Sequence, residues 1–261
     1  MRVGLRRLTG RLAPRVPDAV LDRVLRLRSR LGEGPVIGLP RFDRVLVVAP
    51  HPDDETLLCG GTVTALADRG ADVRIVVATD GTASRVSLAP DELARRRRDD
   101  TRRACATLGV GDPLFVGLPD GDLTAEVGAL TDALQDQLDA FAPDLVLVPW
   151  FGDAHPDHRA CSAALVRTIP PDAVDVWGGE VWTPAPINRL VDVSETIERK
   201  RAALAAHATA QQAFDLDAML ALNRYRSVHG LRGRGFAEGY LAAPFPDYAR
   251  WTTDALDPDA R

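Results

Sequence analysis

Four titratable side chains fall within five residues in the segment Ala-Pro-His-Pro-Asp-Asp-Glu, at positions 49–55. Neutral imidazole and carboxylate groups are good ligands for a borderline divalent metal ion. His51 and Asp54 are three residues apart, so a turn can bring both to one ion. The adjacent Asp53 can then stay out of the coordination and act as a base toward water. Glu55 is expected to orient the loop or to accept backbone N–H groups at the start of the next helix.

A second loop, Asp-Ala-His-Pro-Asp-His at positions 153–158, contains two more histidines. Pro156 suits the first position of a helix, which puts His155 near the helix cap and His158 in the first turn. Two histidines and one carboxylate with an open position describe a catalytic zinc site rather than a closed structural one. Spacing alone does not decide which of the two histidines binds the metal. Asp153 or Asp157 is expected to hydrogen-bond a histidine and so select its tautomer.

Both loops follow predicted strands in a chain that alternates short apolar runs with helical periods. The predicted strands are residues 45–49, 73–78, 114–116, 145–148, 174–181 and 190–193. The predicted helices are residues 56–69, 91–108, 124–141, 157–168 and 194–214. This alternation predicts a single-domain α/β fold, with a mostly parallel sheet covered by helices on both faces. Such sheets bind ligands outside the carboxyl ends of their strands, where both loops lie.

Composition and motifs exclude several other classes of protein. The first strand-to-helix turn has neither the GxGxxG pattern nor a P-loop, and its carboxylates would repel a pyrophosphate. The 261 residues are 46% apolar and 26% charged, which is typical of a soluble globular protein. Three cysteines without a CxxC pair argue against a disulfide framework, and they fit a reducing, cytoplasmic location. No signal-peptide pattern is evident at the N-terminus.

Positive charge is concentrated near the N-terminus. Residues 1–44 hold eleven arginines against four acidic residues, whereas the whole chain has a formal net charge of −5. We predict a basic extension at 1–42 with an amphipathic helix, followed by a catalytic domain at 43–261. The helix is expected to pack on the domain or on a partner subunit in a homo-oligomer, with membrane-surface contact as the alternative. No nucleic-acid partner is expected, because the rest of the chain is acidic and has few aromatic residues.

The segment VVAPHPDDE followed by LCGGT, and later HPDH, resembles the LmbE-like family, also called the PIG-L or GlcNAc-phosphatidylinositol de-N-acetylase family. The resemblance covers residues 43–243 and extends to several shorter stretches. These are Thr79-Asp80-Gly81, Leu118-Pro119-Asp120-Gly121, Glu180-Val181-Trp182-Thr183-Pro184, Asn223-Arg224-Tyr225-Arg226 and Ala237-Glu238-Gly239-Tyr240.

The resemblance implies a zinc-dependent hydrolase with a Rossmann-like fold, of which most known members remove acetyl from an N-acetylated amino sugar. It implies that His51, Asp54 and His158 bind the metal and that Asp53 is the general base. It implies that His155 stabilises the oxyanion or protonates the amine. The expected cofactor is one Zn²⁺ per chain, and Fe²⁺ suits the same ligands. The expected substrate is a small N-acetylated glycoside or amino sugar.

Candidate substrate contacts lie beyond the ends of the predicted strands. Asp80 and Asp120 are expected to line the pocket or bond sugar hydroxyls, or else to serve as turn residues before glycine. Arg85 and Trp182 are further candidates for substrate binding. Two other functions stay open, a metal-dependent amidase or esterase with a non-sugar substrate and a catalytically silent glycan-binding protein.

Two features depart from the family pattern. The family's R-x-x-E pattern occurs here as Arg97 and Asp100, with a shorter acid. The late H-x-S-Q pattern occurs as His207-Ala208-Thr209-Ala210-Gln211, so we expect His207 to be a packing or capping residue. His229 is expected at the surface.

Overall fold

The computed structural model describes residues 35–170, 172–213 and 215–256. The predicted amphipathic helix near the N-terminus lies outside the described residues. Within them, no helix is long and apolar enough to cross a lipid bilayer.

Eight strands form one sheet in the described part of the chain. They are β1 (Val36–Ile37), β2 (Arg44–Ala49), β3 (Asp72–Thr79), β4 (Leu114–Leu118), β5 (Leu145–Pro149), β6 (Asp175–Gly179), β7 (Arg189–Asp192) and β8 (Ala237–Pro244). Their order across the sheet is β1-β7-β8-β6-β5-β2-β3-β4. β8 runs antiparallel to β6 and β7, and the other neighbours pair in parallel. The sheet is therefore mostly parallel, as predicted.

Helices cover both faces of this sheet. They are α1 (Asp54–Ala67), α2 (Pro90–Leu108), α3 (Val127–Phe141), α4 (Pro156–Leu165), α5 (Ile197–Ala206), α6 (Leu220–Arg226) and α7 (Phe245–Leu256). Side chains alternate across a strand. Val45 and Val47 of β2 accordingly join a core with α1, α2, α5 and α6, and Leu46 and Val48 join a second core with α3, α4 and α7. The predicted α/β class is confirmed.

Some predicted boundaries are wrong. The helix predicted at 194–214 ends at Ala206, because His207 leaves the helical conformation with φ −77° and ψ 51°. A short 3-10 turn, Ala210–Gln212, follows it. Sequence reasoning missed α6, α7 and the antiparallel strand β8, whose sequence AEGYLAAP has no β-branched residue.

The parallel strands position the functional loops. β2, β3, β4, β5 and β6 are neighbours in parallel pairing, so their carboxyl ends meet at one edge of the sheet. The loops that follow these strands therefore converge, although they are distant in sequence.

Candidate active site

The loop after β2 brings His51 and Asp54 into contact. Oδ2 of Asp54 accepts a hydrogen bond from the backbone N–H of His51 at 3.0 Å and lies 2.8 Å from His51 Nδ1. The backbone N–H of Asp54 in turn donates to the carbonyl of His51 at 3.2 Å. This tight turn orients both side chains in the same direction.

The loop after β5 brings His158 to the same carboxylate. α4 begins at Pro156, and His158 lies in its first turn, fully buried. Its Nε2 is 3.2 Å from Oδ2 of Asp54. The structure thus brings together Nδ1 of His51, Oδ2 of Asp54 and Nε2 of His158, the three predicted metal ligands.

The donor set at this point fits a divalent cation. Both ring nitrogens of His158 are buried and make no hydrogen bond of acceptable geometry. Each nitrogen is at ion-pair distance from a carboxylate, Nε2 from Asp54 and Nδ1 from Asp153, so a cation coordinated by Nε2 would be well placed between the ring and Asp54. Ring nitrogens of His51, His155 and His158 also lie within 4.8 Å of one another. These residues can therefore hold a metal ion.

Carboxylates stand behind two of the imidazoles. Nε2 of His51 is 3.1 Å from both Asp120 Oδ1 and Asp157 Oδ2, and Nδ1 of His158 is 3.3 Å from Asp153 Oδ1. His51, Asp120 and Asp157 also form a second candidate metal group. An imidazole that ligates a metal commonly donates its other nitrogen to a carboxylate, and these three carboxylates lie at that distance from His51 and His158.

Electrostatic effects among these groups are large. Burial opposes charge on Asp54, but the imidazoles of His158 and His51 hold the pKa of this carboxyl well below its usual value. Burial likewise opposes charge on His158, whose pKa is nevertheless raised to about 9 by Asp54 and Asp153. Burial, together with the neighbouring His158 and His51, lowers the pKa of His155 to about 4. His155 is therefore neutral near pH 7.

Asp53 lies beside this cluster and has a different environment. Its Oδ2 accepts a hydrogen bond from Arg97 at 3.1 Å, and Arg97 also donates to the carbonyls of Pro52 and Gly81. Burial raises the pKa of Asp53 to about 6 even though Arg97 opposes the rise. The contact of Arg97 with Asp53 was not predicted.

A cavity of about 450 Å³ opens over these groups. It is lined by His51, Asp53, Asp54, Ala83, Ser84, Arg85, Arg97, Asp120, Gly121, His155, Trp182, Ala210 and Ala213. The predicted contacts Arg85, Asp120 and Trp182 are thus on its wall. Asp80 is not among the residues that line the cavity. Its Oδ1 accepts hydrogen bonds from the N–H and O–H of Thr82, so it has the alternative role, that of a turn residue.

Other side chains organise the surrounding loops. Asp153 accepts backbone N–H groups of His155, Trp182 and Thr183 and so joins the loop after β5 to the loop after β6. His207 caps α5, as expected, but its Nε2 also lies 2.8 Å from Oε1 of Glu55. The only feature of the sequence that pointed to this contact is that His207 matches the histidine of the family's H-x-S-Q pattern. His229 is exposed.

Comparison with known proteins locates this site within a described family. Residues 46–169 match the family model PIG-L, GlcNAc-PI de-N-acetylase. The chain is 31% identical to a 1D-myo-inositol 2-acetamido-2-deoxy-alpha-D-glucopyranoside deacetylase of Mycobacterium sp. (strain KMS), over an alignment of 280 residues that covers 82% of this chain and 89% of the relative.

Two further proteins extend the comparison. The chain is 31% identical over 189 residues to the diacetylchitobiose deacetylase of Thermococcus kodakarensis, covering 63% of this chain and 68% of that protein. The structure of N,N'-diacetylchitobiose deacetylase from Pyrococcus horikoshii superposes with a TM-score of 0.65 and 23% identity, covering 79% of this chain and 86% of that one. The latter likeness is one of fold.

Proposed function

The chain belongs to the PIG-L, or LmbE-like, family of GlcNAc-PI de-N-acetylases, and from this premise we propose that it is a metal-dependent N-deacetylase. Its substrate is an N-acetylated amino sugar or a small glycoconjugate of N-acetylglucosamine. One observation carries the proposal: Oδ2 of Asp54 lies within 3.2 Å of an imidazole nitrogen from each of two distant loops, beside Asp53. Two relatives are named as deacetylases of an inositol glycoside and of diacetylchitobiose, and these names support this substrate class.

His51, Asp54 and His158 are the proposed ligands of one divalent cation. Zn²⁺ is the proposed ion, and Fe²⁺ is compatible with the same ligand set. Such a cation, when bound, polarises the acyl carbonyl and lowers the pKa of water toward about 7. Asp157 and Asp120 would hold the outer nitrogen of His51, and Asp153 that of His158.

Asp53 is the proposed general base. Arg97 holds its carboxylate at the cavity wall, where it takes a proton from water as the oxygen bonds to the acetyl carbon. The nitrogen then receives this proton from Asp53, the C–N bond breaks, and a free amine leaves together with acetic acid, which ionises to acetate.

His155 is the proposed donor to the oxyanion. Its Nδ1 accepts the backbone N–H of Asp157 at 3.2 Å, so the ring proton is expected on Nε2. An N–H aimed at the developing negative charge stabilises the tetrahedral state.

The remaining assignments concern the substrate and the whole chain. Asp120 and Arg85 are proposed to hydrogen-bond sugar hydroxyls, and Trp182, which is 43% exposed, to pack against the sugar ring. A cavity of about 450 Å³ suits a small ligand. The division at residue 42, the cytoplasmic location and a homo-oligomeric state stay predictions.

Acetate release tests this function. Protein loaded with Zn²⁺, its metal content measured by mass spectrometry, is incubated with N-acetylglucosaminides that differ in aglycone and with N-acetyl amines and acetate esters that lack a sugar. We expect equal amounts of acetate and free amine from a glucosaminide. Release only from the non-sugar compounds would instead indicate an amidase or esterase, and binding of glycans without release would indicate a silent binding protein.

A further inference from the structure

Asp53 occupies the N-cap position of helix α1, but its side chain does not make the usual capping hydrogen bond. An aspartate at this position of a helix normally accepts a hydrogen bond from a backbone N–H of the first turn. Asp53 precedes α1, yet its side chain makes no capping hydrogen bond, and its backbone has φ 136° and ψ −25°. A positive φ is rare for a residue other than glycine. This conformation turns the carboxylate away from the helix and toward Arg97 and the cavity.

The carboxylate of Glu55 holds this backbone. Its Oε2 accepts the N–H of Asp53 at 3.0 Å, and its Oε1 accepts the hydroxyl of Thr56 at 2.7 Å. Oε1 also lies 2.8 Å from Nε2 of His207. Glu55 and Thr56 are fully buried, so water does not compete for these bonds.

His207 comes from a distant part of the chain that also forms the cavity wall. It ends α5 and is 1% exposed. Two residues later, the N–H of Thr209 donates to Asp100 at 2.8 Å, which anchors this segment to α2. Ala210 and Ala213 of the same segment line the cavity. The contact between Glu55 and His207 therefore links the loop of Asp53 to the wall formed by residues 210–213.

We propose that Glu55 and His207 are positioning residues that hold Asp53 in its positive-φ conformation and so present its carboxylate to the substrate. This inference rests on the proposed function of Asp53 as the base. Without the bond from Glu55, the ordinary cap geometry is available to Asp53, and its carboxylate would bond the first turn of α1 instead of facing the cavity.

Steady-state kinetics of Glu55→Gln test the proposal on Zn²⁺-loaded protein with a methyl N-acetylglucosaminide. Glutamine keeps one oxygen but replaces the other by an NH2 group, which cannot accept a hydrogen bond. One of the groups that now donate to Glu55 therefore loses its acceptor. We expect kcat to fall by about 10²-fold, because the base is misplaced, while KM stays within about twofold and one metal ion per chain is retained. Glu195→Gln, at an exposed position, is the matched control. A kcat for Glu55→Gln within about threefold of the parent would overturn the proposal.

Two substitutions at His207 separate positioning from packing. Glutamine places an N–H close to where Nε2 stands, whereas leucine preserves bulk without a donor. We expect His207→Gln to keep kcat within about threefold of the parent and His207→Leu to lose about tenfold or more. Equal loss in both variants, with melting temperatures lowered equally, would show a packing role and refute the inference.

A crystal structure of Glu55→Gln distinguishes failure of this inference from failure of the proposed function. We expect φ of Asp53 to leave the positive region and its carboxylate to move away from Arg97. If Asp53 stays in place, the inference is wrong even where acetate release confirms the function. If no glucosaminide releases acetate but Asp53 moves, the function is wrong and the positioning of Asp53 by Glu55 is retained.

Discussion

Asp53 and Asp54 are adjacent in sequence, but the fold places their carboxylates in different environments. Asp54 faces two imidazoles, whereas Asp53 faces Arg97. The difference depends on the positive φ of Asp53, a conformation that costs on the order of 1–3 kcal/mol and persists only where the surroundings impose it. Here Arg97 binds the side chain and Glu55 binds the backbone N–H.

Substitutions at the two kinds of residue should separate base from ligand. We expect Asp53→Asn to retain one metal ion per chain and to lose turnover by about 10²-fold or more, because it loses the base. We expect His158→Ala and Asp54→Ala to lose the metal itself. Metal content and acetate release, measured on the same preparations, check both. Turnover of Asp53→Asn within about tenfold of the parent, or a fully metallated His158→Ala, would contradict the assignments.

Asp153 should influence the metal without touching it. Oδ1 of Asp153 lies 3.3 Å from Nδ1 of His158 and accepts the backbone N–H of His155. Oδ2 of Asp153 accepts two backbone N–H groups from the loop that carries Trp182. Asp153→Asn replaces one acceptor by a donor, so we expect metal affinity to fall about 10–100-fold and the free energy of unfolding to fall by about 1–3 kcal/mol. Competition with a chelating dye and chemical denaturation measure the two effects. Asp80→Asn is the matched control, and an equal loss of affinity there would contradict this account.

At the scale of elements, helix α1 is interrupted in the middle. Cys59 has φ −150° and ψ 17°, which are not helical values. Glu238 of β8 accepts the N–H groups of Gly61 and Thr62 at 2.9 and 2.8 Å. The helix that begins with Asp54 is therefore anchored to the sheet a few residues beyond the site.

The close packing of α1 against Val193 requires a residue without a side chain at Gly61. A Cβ built there would lie 2.6 Å from Cβ of Val193, a stiff β-branched residue. We expect Gly61→Ala to lower the free energy of unfolding by about 1–3 kcal/mol through overpacking. Gly128→Ala, in α3 with open space around it, should instead raise stability by about 0.5–1 kcal/mol. Denaturation of both variants checks the pair, and the same sign of change in both would contradict the packing argument.

At the scale of the whole molecule, one buried ion pair joins three elements. Lys200 of α5 donates to Glu238 of β8 at 2.7 Å and to the carbonyl of Leu57 in α1 at 2.9 Å. Both charged side chains are 1% exposed. The pair thus holds α5 and α1 together on one face of the sheet, next to the segment that carries His207.

Removal of one partner from this pair should be more damaging than removal of both charges. We expect Lys200→Met to lower the free energy of unfolding by about 3–5 kcal/mol, because Glu238 is left charged and buried. Glu238→Gln added to Lys200→Met should restore part of this loss. Arg201→Met, which breaks the exposed pair with Asp217, is the matched control and should change stability little. Equal effects in the buried and exposed variants, measured in urea, would contradict this view.

The local features of this protein were predictable from its amino-acid sequence. The motifs at 49–55 and 153–158 indicated the metal chemistry, and the alternation of apolar runs predicted the mostly parallel sheet with both loops at its carboxyl edge. The prediction of the sheet is confirmed, because periodicity is a property of short stretches of chain, whereas the metal chemistry stays a prediction. Strand β8 was missed, since its burial between β6 and β7, and not its residue preferences, makes it a strand.

Contacts between residues that are distant in sequence were not predictable and became visible only in the folded chain. Asp80 and Asp120 both precede a glycine, yet one closes a turn and the other reaches His51. Glu55 meets His207 across 152 positions. His51 turns Nδ1 toward Asp54 because its Nε2 contacts Asp120 and Asp157. His158 turns Nε2 toward Asp54 because its Nδ1 lies beside Asp153. Local sequence does not encode such distances, because they arise only when strands pair and bring separate loops to one edge of the sheet.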